Sequence, residues 1–162
     1  MATASARIEV VNLSGGRKVT VPLRAAVACA APSGEVTVIL AHNEHLRALN
    51  ARHRGIDAPT DVLSFPARPN PLGHLGDVVV SWDFAVAQAR VRGVKPIEEA
   101  AMLAVHGALH LLGMDDQTEE DREEMVRVQN SVMAKVGLPT DTGWCSLPHE
   151  ESREGGPEAG GE

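Results

Sequence analysis

His106, His110 and Asp116 are the side chains of this 162-residue chain whose types and spacing could do chemistry. His106 and His110 lie four apart, so on a helix of about 3.6 residues per turn they leave nearly the same face. Gly113 follows within the next turn and is the residue that most readily takes the left-handed conformation that ends a helix. The chain can then fold back and carry Asp115 or Asp116 toward the two imidazoles. Two histidines and a carboxylate, with one position left open, are a usual catalytic zinc set. The stretch therefore reads as the metal site of a hydrolase. Zinc peptidases of the H-E-x-x-H type place their general-base Glu directly after the first His. Here that position is Gly107, which weighs against peptide hydrolysis.

Such a pair needs a helix held firmly in the interior. Pro96 suits a first helical position, and residues 100–112 are apolar almost all round, so a helix over about 97–112 is expected to be central and buried. Before it, Arg7–Asn12 alternates like a half-buried strand, and Val21–Ala31 looks helical with Pro22 in its first turn. Val36–Leu40 is a β-branched central strand, and Asn43 is expected to cap a helix through Arg52. Val62–Phe65 is a short strand ended by Pro66, the Pro/Gly-rich residues 67–74 are a loop, and Leu75–Ser81 is a strand buried on both faces. Asp83 is expected to cap a helix to about Arg92 that Gly93 stops, and Thr118 opens a last helix to about Val136. The run Glu119–Glu124 reads as the solvated face of that helix, with acids well placed at its start. The fold class is α+β: a single domain over residues 1–147, with a small mixed sheet packed on helices around a central metal-binding helix. A disordered Gly/Glu-rich tail is expected over 148–162.

The chain is long enough for one real core and short for two. Hydrophobic residues make up 43% but aromatics only 2%, which leaves Ala, Val and Leu to fill that core. No run approaches the roughly 18 apolar residues of a membrane span, and Met1–Arg7 has no apolar signal-peptide region. Cys29 and Cys145 read as free thiols, which suits a reducing cytoplasm. A net charge of −7 argues against a polyanionic partner, but the charge is unevenly placed. Residues 1–95 carry 11 Lys/Arg against 7 Asp/Glu, while residues 96–162 carry 4 against 15. Arg47, Arg52, Arg54 and Arg68 in the basic half could receive a phosphate backbone. His42, His45, His53 and His74 read as surface histidines.

Three segments together match one pattern. They are Arg54-Gly55-x-Asp57-x-Pro59-Thr60-Asp61-Val62-Leu63-Ser64-Phe65-Pro66, then Leu75-Gly76-Asp77-Val78-Val79-Val80-Ser81, then His106 through Asp116. In this order and spacing they resemble the YbeY family of bacterial single-strand-specific endoribonucleases, over about residues 35–136. The resemblance implies metal-dependent hydrolysis of phosphodiester bonds in single-stranded RNA. It places that cleavage in maturation of the 3′ end of small-subunit ribosomal RNA and in ribosome quality control. It implies a cytoplasmic protein with ribosomal RNA as substrate, ribosomal small-subunit proteins as partners and no membrane. It also implies one Zn2+ per chain, or another divalent ion, held through H-x-x-x-H-x-x-x-x-x-H. His106 and His110 match the first two ligands. The third falls on Asp116, where the family has His, and Met114 stands where the family has Tyr. Asp115 matches the motif Asp, and Arg54 the family's functionally important Arg.

A carboxylate oxygen binds zinc at nearly the distance of an imidazole nitrogen, so Asp116 is chemically sound as third ligand. Asp is shorter than His, so the loop after Gly113 must come closer to the metal. The His-His-Asp set is also harder and more negative, which favours oxygen-loving ions and weakens Lewis acidity. In this reading His106 and Arg54 are catalytic, Arg54 binding phosphate through its planar fork. Ser64 joins Arg54 in binding substrate, or else has its hydroxyl satisfied by backbone. Asp115 orients a ligand His, and Asp77 ties loops together. Two other classes stand beside this one: a metallopeptidase with a His-His-Asp site, and a non-catalytic ribosome-associated factor with a structural metal.

Overall fold

Successive strand residues point to opposite faces, so each strand divides its side chains between two helical layers. The computed structural model describes residues 5–146, and the structural statements below concern those residues. β1 (Arg7–Asn12) leads through α1 (Val21–Ala30) to β2 (Glu35–Ala41), and α2 (Asn43–Arg54) leads to β3 (Val62–Pro66). β4 (His74–Ser81), α3 (Trp82–Arg92), α4 (Pro96–Leu111) and α5 (Glu119–Lys135) follow. The strands form one sheet in the order β1-β2-β4-β3, with β1, β2 and β4 parallel and β3 antiparallel to β4. This is the α+β class with a small mixed sheet expected from the sequence.

Val36, Val38 and Leu40 of β2, Val78 and Val80 of β4, and Val62 of β3 join α1, α3, α4 and α5 in the main core. Leu63 and Val79 face the other way and close a smaller core with Ala41 of β2 and Leu46 of α2. Ser64 lies two residues beyond Val62, so its side chain points to the α4 layer. Every residue of α4 from Glu99 to Leu109 is buried. Removing Leu103, Val105 and Leu109 from water contributes about 1.5–3 kcal/mol each, which makes α4 a rigid support for what it carries.

Two helix starts differ from the sequence expectation. Asn43 is the first residue of α2 rather than its cap, and Ser81 rather than Asp83 caps α3. Ser81 Oγ accepts from the Phe84 amide at 3.1 Å and donates to Asn43 Oδ1 at 2.6 Å. Asp83 turns to α2 instead, accepting from the Asn43 amide at 2.7 Å and pairing with His42 Nδ1 at 3.1 Å. β2 and β4 are parallel neighbours, so the helices that follow them begin side by side. A carboxylate favours either helix start; the neighbouring one receives it.

The first four residues and the expected tail over 148–162, with its boundary at 147, lie outside the described residues. Among the described residues no helix is long and apolar enough to cross a membrane. Cys29 and Cys145 are free thiols.

Candidate active site

α4 delivers both histidines, and the way it ends fixes one of them. Gly113 takes φ +98°. Its amide donates to the His110 carbonyl at 3.0 Å, and the Met114 amide donates to the Leu109 carbonyl at 3.0 Å. These two bonds are a Schellman motif. It brings the Met114 carbonyl back onto the helix, where it lies 3.0 Å from His110 Nδ1. His106 Nδ1 meets Gln129 Oε1 of α5 at 2.8 Å, while the Gln129 amide nitrogen donates to Met102 Sδ. A carbonyl oxygen only accepts, so each imidazole carries a proton on Nδ1 and turns Nε2 inward.

The two Nε2 atoms are 3.2 Å apart, and Asp116 Oδ2 lies 3.3 Å from that of His106 and 3.4 Å from that of His110. Among the described residues this is the one group of three or more His, Cys, Asp or Glu arranged to hold a metal ion. A tetrahedral ion with bonds of about 2.0–2.2 Å needs its ligand atoms roughly 3.3–3.6 Å apart. The near-equilateral triangle fits one face of such a tetrahedron. Burial alone would raise the Asp116 carboxyl, but hydrogen bonds to His106 and His110, and their charge, hold it far below the usual carboxylate range. Burial also works to lower His110, and the Asp116 hydrogen bond and charge more than offset it, so that imidazole holds a proton more tightly than usual. A group of this polarity accepts a cation where the proton would sit.

The triangle opens on a cavity of about 610 Å³ whose wall includes Arg54, Ser64, Arg122, Met125, Val126 and Trp144. Arg54, at the end of α2, is thus brought to the same cavity as His106, His110 and Asp116 across a gap of some fifty residues in sequence. Ser64 Oγ donates to the Gly107 carbonyl at 2.9 Å, so its hydrogen ties β3 to α4 while its oxygen stays at the wall. Asp115 accepts from the Asp116 amide at 2.8 Å. The orienting of the histidines expected of Asp115 falls instead to Gln129 and the Met114 carbonyl. Of the four clustered arginines, Arg47 makes a bidentate pair with Asp57 at 2.7 and 3.2 Å, and Arg54 alone lines the cavity. Asp77 pairs with His74 at 3.6 Å, away from the cavity.

Three site residues escaped the sequence reading. Gln129 sits among Met125, Val132 and Met133 on the buried stripe of α5, and a polar residue on an apolar stripe was a usable signal. Trp144 packs its ring 5.3 Å from that of His106 and donates from Nε1 to Glu99 Oε2 at 2.8 Å. Burial pushes the Glu99 carboxyl up, with the Trp144 bond and the Arg92 charge opposing it. Nothing in the sequence around Trp144 pointed to the site, because it lies in irregular backbone beyond α5. Arg122 is the third.

Gly107 answers the peptidase alternative sterically. A Cβ there would stand 2.5 Å from Val78 Cγ1, 2.9 Å from Ser64 Oγ and 3.2 Å from Val62 Cγ2. The general-base Glu of H-E-x-x-H has no room at this position, because α4 lies directly on the sheet. Gly107→Ala is expected to lower stability by about 1–3 kcal/mol through overpacking, read as a lower urea midpoint at unchanged slope.

A family model described as Endoribonuclease YbeY matches residues 17–137. The chain belongs to that family. A curated endoribonuclease YbeY from Pelotomaculum thermopropionicum is 44% identical over 111 residues, covering 64% of this chain and 73% of that protein. The endoribonuclease YbeY of Thermus thermophilus is 48% identical over 103 residues, covering 61% and 74%. The solution structure of a Thermotoga maritima protein superimposes with a TM-score of 0.58 at 27% identity, over 80% of this chain and 88% of that one. Asp116 follows His110 at the spacing of the third position in that group, and its carboxylate meets both imidazoles.

Proposed function

We propose that this YbeY-family chain is a zinc-dependent endoribonuclease that cuts single-stranded RNA in the 3′-end maturation of small-subunit ribosomal RNA. The observation that carries the reading is the triangle of His106 Nε2, His110 Nε2 and Asp116 Oδ2, opening on a cavity with Arg54 in its wall. Zn2+ or another divalent ion bound there supplies Lewis acidity toward a phosphoryl oxygen or a water. Gln129 and the Met114 carbonyl keep the imidazoles in the tautomer that binds it. Arg54 binds the phosphate through two parallel N–H donors, which fixes the scissile bond relative to the ligands. Val62, Met125 and Val126 give the cavity an apolar wall on which a base can lie and from which water is excluded. A base reaches such a wall only when it is unpaired, which supports a single-stranded substrate. The endoribonuclease names of the relatives support the same reading.

At a net charge of −7 the chain binds RNA weakly by charge alone. That favours a site on the ribosome, with small-subunit proteins as cytoplasmic partners; the catalytic domain proposed is residues 1–147. The test uses a labelled single-stranded oligoribonucleotide and its duplex, with protein stripped by a chelator and resupplied with Zn2+, Mn2+ or Mg2+. Internal cleavage of the single strand alone, lost on stripping and restored best by Zn2+, is the expected result. Cleavage that survives complete stripping would remove the metal from the mechanism. No cleavage under any condition would leave the non-catalytic ribosomal factor as the better reading.

A further inference from the structure

Arg122 is the lone cation in the run Glu119-Glu120-Asp121-Arg122-Glu123-Glu124. On a solvated helical face it would pair with acids three or four residues away. It turns back across the start of α5 instead. Its Nη1 donates to the Asp116 carbonyl at 3.3 Å and to the Gln117 carbonyl at 3.1 Å. The helix start beneath it is itself fixed, since Thr118 Oγ1 accepts from the Asp121 amide at 3.0 Å.

Arg122 and Gln129 are seven residues apart, two turns along one face of α5. Gln129 grips His106, and Arg122 grips the backbone that carries Asp116. One rigid helix therefore sets the distance between the first ligand and the third. That distance is demanding here, because Asp116 occupies a position where the family pattern has the longer His. Its Oδ2 nonetheless reaches 3.3 and 3.4 Å from the two Nε2 atoms. A shorter side chain reaches that far only if its backbone is held closer.

We propose that Arg122 is a positioning residue of the metal site, clamping the loop after Gly113 to α5 so that the short Asp116 side chain reaches the ion. The inference rests on the metal reading above. Arg122 is exposed at the cavity wall, so its replacement leaves the core intact.

The test compares full-length wild type with Arg122→Ala, Arg122→Lys and, as control, Arg127→Ala. Arg127 pairs with Glu124 on the exposed side of the same helix. Zinc affinity is read by competition with a chromogenic chelator, and amide hydrogen exchange of residues 114–117 is read without zinc. Arg122→Ala is expected to bind zinc about 10–100-fold more weakly, the range for losing a group that supports a metal ligand. Arg122→Lys recovers part of that loss, Arg127→Ala matches wild type, and all melt near the wild-type temperature. Exchange of the loop amides rises in Arg122→Ala while that of residues 103–109 does not. Wild-type zinc binding with an indifferent Arg122→Ala overturns the clamp and leaves the metal reading standing. Equal losses in Arg122→Ala and Arg127→Ala overturn it too, since helix charge would then be the cause. A wild type that binds no zinc overturns both readings.

Discussion

Asp116→Asn is expected to bind zinc on the order of 100-fold more weakly than wild type and to lose RNA cleavage at limiting metal. The substitution keeps the size and shape of the side chain, so loop packing is unchanged. It removes the charge and the strong oxygen ligand. Zinc sites built by proteins are worth about 10–16 kcal/mol over four ligands, so one carboxylate is worth about 3 kcal/mol, or roughly two powers of ten in affinity. The Asp116 carboxyl is the one group in the triangle that carries negative charge against two imidazoles 3.3 and 3.4 Å away. Elemental analysis of purified protein, with chelator competition, reads the effect. Equal zinc in both proteins would mean that another group completes the site. Asp115 would be the nearest candidate, although its carboxylate is occupied by the Asp116 amide.

Arg54→Ala is expected to slow cleavage of single-stranded RNA by about 100–1,000-fold, the usual cost of one lost donor to a developing oxyanion. Zinc content stays at the wild-type level, because Arg54 is not among the three residues grouped to hold an ion. Arg54→Lys keeps the charge but not the planar fork, so it recovers only part of the rate. If Arg54 contacts phosphate, the salt dependence of RNA binding also loses about one unit of slope in Arg54→Ala. A variant that cleaves at the wild-type rate would remove Arg54 from the reaction and shift attention to Arg122, the other arginine of the cavity wall.

The elements that carry the site were readable because they follow local rules. α4 announces itself by an apolar run behind Pro96, and the Gly113 stop by the residue that tolerates positive φ. β3 and β4 were placed to within a residue, since β-branched runs bounded by Pro and Gly have few alternatives. The helix caps were misplaced where two elements compete for one side chain. Ser81 and Asp83 both suit a helix start, and only the neighbouring start of α2 decides between them. Asp115 and Asp116 were likewise equivalent from the residues alone. Asp115 folds its carboxylate onto the next amide, and that bend turns Asp116 to the imidazoles.

By itself the sequence determined the buried helix, the two histidines on its one face, the break that returns a carboxylate to them, and the family pattern around Arg54. Tertiary structure alone decided which nitrogen of each imidazole points inward. That choice is made by Gln129, 23 residues from His106, and by a main-chain carbonyl set by the Schellman turn. It also brought Arg54, Trp144 and Arg122 to one cavity. Periodicity says which side chains share a face, because it depends on backbone geometry within one element. The direction of a lone pair depends on the hydrogen-bond partner at the far side of a ring, and that partner comes from wherever the fold packs another element.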